Sequence, residues 1–426
     1  MSLEEENSFQ PPLNKLKKLF KLLGPGLITG ASDDDPSGIA TYSQAGARYG
    51  LATLWTALLT FPLMAAIQSM CARIGLVTQT GLTSTLKNHY PRPILYLMLL
   101  FSFPAITLNI GADIQGMGAV SNLLFPAIPD YIFSIFFTIL ILVFIIRFSY
   151  RTLSNILKWL CLPMFVYLIV PFLIHTDWKQ VMKYTFIPTL KADKDFLLIL
   201  VGILGTTISP YLFFWQATME AEDMTHDPDK IVVNKQILDD MKTDVNLGMF
   251  FSNLVMYFVI LTTGIVLFNA GIHKVDTVDE AAKALEPLAG KFAYVLFAFG
   301  VIGTGFLAIP VLAGSLSYIM AETFDWKGGL DKKFYEAKQF YITIAISLLV
   351  GLSLNFIGIS PIQALFYTAV LYGLTAPVLI AVILHICNNK KVMQGFTNSI
   401  LQNILGVIAL VLMSMAAIAL IYYQLK

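Results

Sequence analysis

Apolar runs of about 20 residues recur along the whole chain, and each is long enough to cross a ~30 Å hydrocarbon core as a helix. No other feature narrows the possible folds as much. In lipid every backbone amide must be satisfied within the protein, which leaves helices and closed barrels, and runs of this length are helical. Eleven runs are legible, near 22–47, 51–75, 94–124, 131–147, 155–175, 196–221, 244–270, 288–321, 339–358, 361–387 and 397–424. Composition agrees. Of 426 residues 57% are hydrophobic and 13% charged, where a soluble domain carries about 25% charged residues, and the mean hydropathy is +0.72. The chain reads as an all-α polytopic membrane protein, with residues 1–21 a cytoplasmic arm and 22–424 one transmembrane domain.

Several classes drop out. The net charge is +1, and no basic cluster is dense enough to follow a phosphate backbone, so nucleic acid is not a partner. There is no HExxH, GxSxG, P-loop or clustered Cys/His set, so the chain does not read as an enzyme. Cys71, Cys161 and Cys387 lie far apart beside apolar runs and read as small core hydrophobes. The first run follows a polar, lysine-bearing arm and carries an acidic break, which is unlike a cleavable signal peptide.

Orientation follows from Lys and Arg in the loops. With the N-terminus inside, the inner segments hold Lys15, Lys17, Lys18, Lys21, Arg73, Lys87, Arg92, Arg147, Arg151, Lys158, Lys230, Lys235, Lys242, Lys327, Lys332, Lys333, Lys338, Lys390 and Lys391, most of the 28 Lys and Arg. The expectation is a cytoplasmic N-terminus and an external C-terminus in the cell membrane. The longest polar connection, about 222–243, is expected to form a short surface helix.

Two spans are interrupted. The first reads GPGLITGASDDDPSGIATYSQAG and the sixth VGILGTTISPYLFFWQATMEAED. Each carries small residues and then a proline with a polar neighbour near its middle. Proline removes a backbone donor and crowds the preceding turn. The carbonyls freed there cannot stay bare in lipid, but they can face an ion, a solute or water. The two spans are five apart and so enter the membrane from opposite sides. Interrupted helices at corresponding places in two halves point to a transport site near the midplane. Two inverted five-helix repeats, about 22–175 and 196–387, plus an extra helix at 397–424, fit the count.

These segments resemble the Nramp family of divalent-metal transporters. GPGLITGASDDDPSGIAT resembles the family's first helix, where GPG precedes an Asp-Pro-Gly-Asn metal motif. ARIGLVTQTGL at 72–82 is similar to the family's segment after helix two, and GADIQGMG at 111–118 to its helix-three segment around a buried Asp. GTTISPY at 205–211 occupies the place of a helix-six Met-Pro-His motif. The resemblance implies the leucine-transporter-like fold, solute transport by alternating access, and no cofactor beyond the transported ion. The chain also departs from the pattern. Asp35 and Pro36 keep the motif, but its Gly is Ser37 and its ligand Asn is Gly38. In the sixth span the Met ligand is Ser209, Pro210 is kept, and the His is Tyr211. A second family His is Gln216. In the third span Asp113 is kept, but an acidic residue three positions later is Gly116.

Thioether sulfur selects soft and borderline metals, while oxygen ligands suit Mg, Ca and Mn. Ser209 in place of Met therefore weakens selection for softer ions, and Gly38 in place of Asn is expected to open space. Mg²⁺ commonly keeps several waters and binds through one or two carboxylates. The direction of change is similar to that in Nramp-related magnesium transporters, although the acid absent at Gly116 departs even from these. The expected function is a monomeric secondary carrier for a divalent cation, Mg²⁺ before Mn²⁺, with Asp35 and Ser209 as metal ligands. Ser37, Gly38, Thr206 and Tyr211 would line the same site. The alternative is a carrier for a small anion or zwitterion, such as bicarbonate or an amino acid. Half-helix N-termini at Ser37, Gly38, Thr206, Thr207 and Ser209 would favour one, and the three carboxylates at 33–35 would oppose it.

Intramembrane acids are functional suspects by default. Asp35 reads as a site residue or as a structural cap. Consecutive side chains point in different directions, so one of Asp33 and Asp34 is expected to cap the following half-helix and the other to line the cytoplasmic mouth. Asp113 reads as part of an ion or proton pathway or as a polar link, with Asn109, one turn earlier on the same face, as its partner. Gln216 is a pathway-wall candidate, while Phe213, Phe214 and Trp215 read as packing aromatics. Glu220, Glu222 and Asp223 read as a solvated inner vestibule or an exit for cations. Gln363, Tyr367 and Thr375 fall in the tenth span, which lines the site in the family. His89, His175, His226, His273 and His385 all lie at span ends or in loops. Without the one side chain that titrates near neutrality unperturbed, transport is expected to be weakly or not at all proton-coupled.

Overall fold

The computed structural model describes residues 24–148, 152, 165–191, 193–226 and 233–425. The expected arm at 1–21, most of the fifth span, Cys161, and the middle of the 222–243 connection lie outside the described residues. The first span is split into α1 (Pro25–Asp33) and α2 (Pro36–Tyr49), followed by α3 (Trp55–Thr78), α4 (Leu82–His89), α5 (Arg92–Leu124) and α6 (Asp130–Arg147). After the short α7 (Trp178–Phe186), the sixth span is split into α8 (Lys194–Thr207) and α9 (Pro210–His226). Then come α10 (Lys235–Val266), α11 (Ala293–Phe324), α12 (Lys338–Leu352), α13 (Pro361–Asn388) and α14 (Ile400–Leu425). Nine helices among the described residues are long and apolar enough to cross a membrane, counting α8 and α9 as one; α1 and α2 together make a further crossing.

Proline alone does not explain the two breaks. Pro62, Pro104, Pro310 and Pro377 all sit inside continuous helices. What differs is the residue before. Phe61, Phe103, Ile309 and Ala376 are apolar, whereas Asp35 and Ser209 carry oxygens that satisfy backbone groups where the helix parts. Asp35 is the N-cap of α2: its Oδ1 accepts from Gly38 N at 2.8 Å. Pro36 and Pro210 then start new half-helices at the first position, where no amide is needed. Ser209 works on the other side of its break, donating to the Thr206 carbonyl at 2.5 Å.

The broken helices run antiparallel, as their cross-contacts show. Arg48 near the end of α2 pairs with Asp195 at the start of α8. A Cβ at Gly38 would lie 3.3 Å from Thr206 Oγ1. Tyr211 donates to the Ser32 carbonyl at 2.7 Å, and Thr29 donates to Gln216 Oε1 at 2.5 Å. Packing is close enough to demand glycine. A Cβ at Gly30 would lie 2.3 Å from the Gly248 carbonyl of α10, and one at Gly205 would lie 2.0 Å from the Ala369 carbonyl of α13. Small residues at such crossings let helices associate where lipid supplies no hydrophobic drive between them.

The 222–243 connection differs from expectation. Its first part continues α9 to His226, and residues from 235 onward open the 32-residue α10. At 1.5 Å per residue α10 is about 48 Å long, so its polar start projects beyond a ~30 Å core. Among the described residues, the two ends of the connection are thus extensions of spanning helices.

Candidate functional site

The two breaks meet in the interior, and the expected site residues gather around them. Asp33, Asp35, Ser37, Asn109, Asp113, Thr206, Ser209, Tyr211 and Gln216 are all buried, at 0–2% exposure, and Asp34 is at 6%. Asp35 sits at their centre. Its Oδ1 accepts from the Ser37 hydroxyl at 2.6 Å as well as from Gly38 N, and its Oδ2 accepts from Asn109 Nδ2 at 2.7 Å. Asn109 is oriented in turn by Thr368 of α13, which donates to its Oδ1 at 2.9 Å. One carboxylate thereby ties the α2 N-terminus to α5 and α13.

Four expectations are corrected here. The cap on α2 is Asp35, not Asp33 or Asp34, because Asp35 immediately precedes the helical residues whose amide it takes. Asn109 spends its amide on Asp35, so it is not the hydrogen-bond partner of Asp113, whose two oxygens are buried without one. Gly38 does not open space: an added Cβ would touch Thr206 Oγ1 at 3.3 Å and the Tyr42 ring at 3.4 Å. Neither Asp33 nor Asp34 lines an open mouth, since both are buried.

The remaining expected residues spread along the two broken helices. Asp33 ends α1, and its Oδ2 accepts from the Ser252 hydroxyl of α10 at 2.8 Å. Asp33 Oδ1 and Asp34 Oδ1 are buried without a partner. Gln216 bridges Thr29 and Glu220, donating to Glu220 Oε1 at 2.8 Å. In α13, Tyr367 is 54% exposed, and Thr375 donates to its own helix at the Tyr372 carbonyl. Thr368 and Tyr372 are the residues of that helix that reach the centre. Tyr372 packs against Tyr211 with ring centroids 5.8 Å apart. Two further residues went unforeseen, Ser252 and Asp244, both on α10. Asp244 accepts from Gly24 N, Gly26 N and Leu27 N at 2.9, 2.7 and 3.2 Å and so holds the free amides of the α1 N-terminus. The only advance signal was the acid itself, since an Asp within a spanning helix is a suspect.

Electrostatically the centre is acidic. No Lys, Arg or His among the described residues forms an ion pair with Asp33, Asp34, Asp35 or Asp113. Nor do any three His, Cys, Asp or Glu side chains among the described residues stand together as a ready metal cage. Ion binding here would therefore combine carboxylates with hydroxyls, carbonyls and retained water. Two cavities of about 440 Å³ flank the centre. One is lined by Gly81, Ser84, Thr218, Glu222, Tyr318 and Glu322 at the end where α3, α9 and α11 finish. The other is lined by Tyr49, His175, Asp177, Lys191, Gly264 and Phe268 at the opposite end. The site residues themselves are buried. Beside Pro36, Gly116 and Leu365 lies a void of about 10 Å³.

Comparison with known proteins fits this geometry. The sequence pattern of a family described as natural resistance-associated macrophage protein-like, Nramp, matches residues 26–423. A protein of Caldanaerobacter subterraneus named divalent metal cation transporter MntH is 26% identical over 420 residues, covering 97% of this chain and 95% of that one. The structure is similar to that of a manganese transporter from Eremococcus coleocola crystallised with an aromatic bis-isothiourea substituted compound. The TM-score is 0.76 at 19% identity, over 99% of this chain and 89% of that one. The fold extends to MhsT in complex with L-phenylalanine, with a TM-score of 0.61 at 15% identity, over 93% of this chain and 98% of that one.

Proposed function

The chain belongs to the Nramp family, and from that premise we propose that it is a secondary carrier moving a divalent cation across the membrane by alternating access, Mg²⁺ before Mn²⁺. It is a multi-pass membrane transporter and not an enzyme. The observation that carries the reading is the buried centre at the two helix breaks, where four buried acids have no basic partner among the described residues. A buried acid without a basic partner stays protonated or is held charged by hydrogen bonds or a cation, and acids within a membrane mark ion pathways by default.

Relatives named as divalent metal cation transporters, and a neighbour described as a manganese transporter, support a divalent cargo. The ligand chemistry of this chain supports the harder ions. Gly38 offers no side chain, and Ser209 and Tyr211 offer oxygen where sulfur and imidazole stand in the family motif. An all-oxygen site favours Mg²⁺ and Mn²⁺ over softer ions, and Mg²⁺ would keep much of its water. Asp35 and Ser209 would hold the ion, with Ser37, Gly38, Thr206 and Tyr211 around it, and Asp33, Asp34, Asp113, Asn109 and Gln216 along the path. Asp35 Oδ1 already accepts two hydrogen bonds, while Oδ2 accepts one and keeps a lone pair for an ion. His89, His175, His273 and His385 lie at helix ends or in connections away from the two breaks, which supports weak or absent proton coupling. The inner side is taken as that of the N-terminus, with a cytoplasmic arm at 1–21, one transmembrane unit at 22–424 and an external C-terminus, and the chain as a monomer.

The test is substrate flux in proteoliposomes, with Mg²⁺, Mn²⁺, small anions and amino acids offered in turn to the wild type and to Asp35→Asn. Mg²⁺ or Mn²⁺ uptake that collapses at least tenfold in the variant is the expected result. Anion or amino-acid uptake with no divalent flux would overturn the reading in favour of a carrier that has left metals behind.

A further inference from the structure

A third cavity, of about 350 Å³, lies between α5, α13 and the segment 353–360 that leads into α13. Apart from Gln115 and Thr368 its wall is apolar, with Leu354, Ala364, Leu371 and Leu374 along it. At its mouth Leu108, Ile359 and Tyr367 are 37%, 40% and 54% exposed. α5 and α13 are both spanning helices, so this mouth opens on hydrocarbon and not on water. An apolar hollow open to hydrocarbon does not stay empty, because bare walls forfeit dispersion contacts, and it holds no water without polar partners.

Length and place fit one occupant. From Ala364 to Leu374 the wall follows α13 for ten residues, about 15 Å. That is half of a ~30 Å hydrocarbon core, the depth of one leaflet. Leu374 stands at the middle of the 28-residue α13, and Leu108 at the middle of the 33-residue α5. The slot therefore runs from the bilayer centre toward one surface, as an acyl chain does. Its volume is at the small end for a ligand pocket, and it suits one chain.

The surface end of the slot is polar. Gln115 is 4% exposed. Its Nε2 donates to the Ile359 carbonyl at 2.8 Å, while its Oε1 is buried without a partner. Gln115 is seven residues from the middle of α5, about 10 Å, and Ile359 lies just before α13 begins. The free acceptor thus stands near the hydrocarbon boundary, at the level of a lipid's glycerol. A buried acceptor calls for a donor. The glycerol of a diacyl phospholipid has none, because all its hydroxyls are substituted, whereas a lipid with one chain removed has a free hydroxyl there.

We propose that this slot binds a single-chain glycerolipid, with its acyl chain along α13 and its free glycerol hydroxyl donating to Gln115 Oε1. The inference goes beyond the carrier reading and stands without it. The bound chain would pack against Thr368, which lines the slot and donates to Asn109, the residue that holds Asp35.

The experiment places full-length protein in liposomes with a trace of lysophosphatidylethanolamine that carries a diazirine in mid-chain, and locates the crosslinks by mass spectrometry. Labelling per residue at 108–115 and 364–374 is expected to exceed severalfold that of the lipid-facing row of α14 at Val411 and Ile418, which are 47% and 67% exposed. Leu371→Trp fills the slot and is expected to remove most of the labelling there while leaving α14 unchanged. Methylating the probe's glycerol hydroxyl, or Gln115→Leu, should each reduce slot labelling about threefold, the worth of one hydrogen bond. Equal labelling of the slot and α14 would mean annular lipid only and overturns the proposal, as does slot labelling that survives the tryptophan. If Leu371→Trp yields no folded protein, Leu108→Trp puts the same question from the α5 wall. Slot labelling indifferent to both methylation and Gln115→Leu overturns the hydroxyl contact, and with it the choice of a single-chain lipid.

Discussion

At the scale of single residues, Asp35 joins a structural and a chemical role, and substitution can separate them. Asn is as good an N-cap as Asp, so Asp35→Asn keeps the bond to Gly38 N while losing the charge. Asp35→Ala loses both and leaves Asn109 facing nothing. We expect Asp35→Asn to unfold within a few degrees of wild type in detergent, and Asp35→Ala to be destabilised by a further ~1–2 kcal/mol, with transport lost in both. Thermal unfolding beside flux checks this; equal stability of the two variants would contradict the capping role. Ser209 tests selectivity. Restoring sulfur as Ser209→Met should shift preference from Mg²⁺ toward Mn²⁺ and Cd²⁺ by about tenfold in competition flux, and an unchanged order would place the ion away from Ser209. Much of this scale was legible in the sequence. Asp35, Ser209 and Tyr211 stand next to prolines inside apolar runs, and such neighbours are visible without coordinates. Ser252 and Thr368 were not legible, because many Ser and Thr lie in spanning helices and only packing decides which of them face an acid. The pairing of Asn109 with Asp113 failed for a related reason. Spacing along one helix places two side chains on a face, but Asp35 of another helix took the amide first.

At the scale of elements, the half-helix α1 is held at its two ends by different partners. Asp244 of α10 gathers its first amides, and Tyr211 of α9 holds the Ser32 carbonyl near its last turn. Between these ends Gly26 and Gly30 lie against the backbone of α10 around Val245 and Gly248. A nine-residue helix is too short to be stable by itself, so its position depends on these contacts. Asp244→Ala removes one acceptor from three amides and should loosen the N-terminal end of α1. The expected readout is a severalfold faster reaction of Thr29→Cys with a membrane-impermeant thiol reagent added on the side where α1 begins, relative to the same cysteine with Asp244 intact. An unchanged rate would mean that Tyr211 and the glycine contacts suffice. Gly30→Ala acts in the opposite sense on the same contact. Its methyl has no room beside Gly248, and a loss of about 1–3 kcal/mol is expected from overpacking, read as a lower Tm. The breaks themselves were legible because a polar residue precedes each proline; the four prolines with apolar predecessors stay within continuous helices. The extension of α9 and α10 into the polar connection was not legible. Asp and Lys signal exposure, and an exposed segment can equally be a loop, a separate helix or the projecting end of a spanning one.

At the scale of the whole molecule, two cavities of about 440 Å³ face opposite ends of the bundle and a buried acidic centre lies between them. This is the arrangement an alternating-access carrier passes through between its two open states, and it makes a prediction about energy coupling. A divalent cation that crosses without a counter-moving proton carries two charges through the membrane field. Each charge gains about 2.3 kcal/mol per 100 mV. Two therefore gain about 4.6 kcal/mol, equivalent to an equilibrium accumulation of roughly 2,000-fold at 1.4 kcal/mol per tenfold. In liposomes with an inside-negative potassium diffusion potential, Mg²⁺ uptake should rise steeply with the imposed potential. A pH gradient of one unit across the same membrane, at zero potential, should leave the plateau unchanged. A plateau that follows the pH gradient would assign proton transfer to buried acids of this centre, Asp113 first among them because neither of its oxygens is otherwise engaged. The absence of histidine from the centre would then say only which side chain carries the proton. The potential-driven result would instead fit the altered motif as a whole: a site remade from oxygen, holding a hard cation at Asp35, with the membrane potential as its source of work.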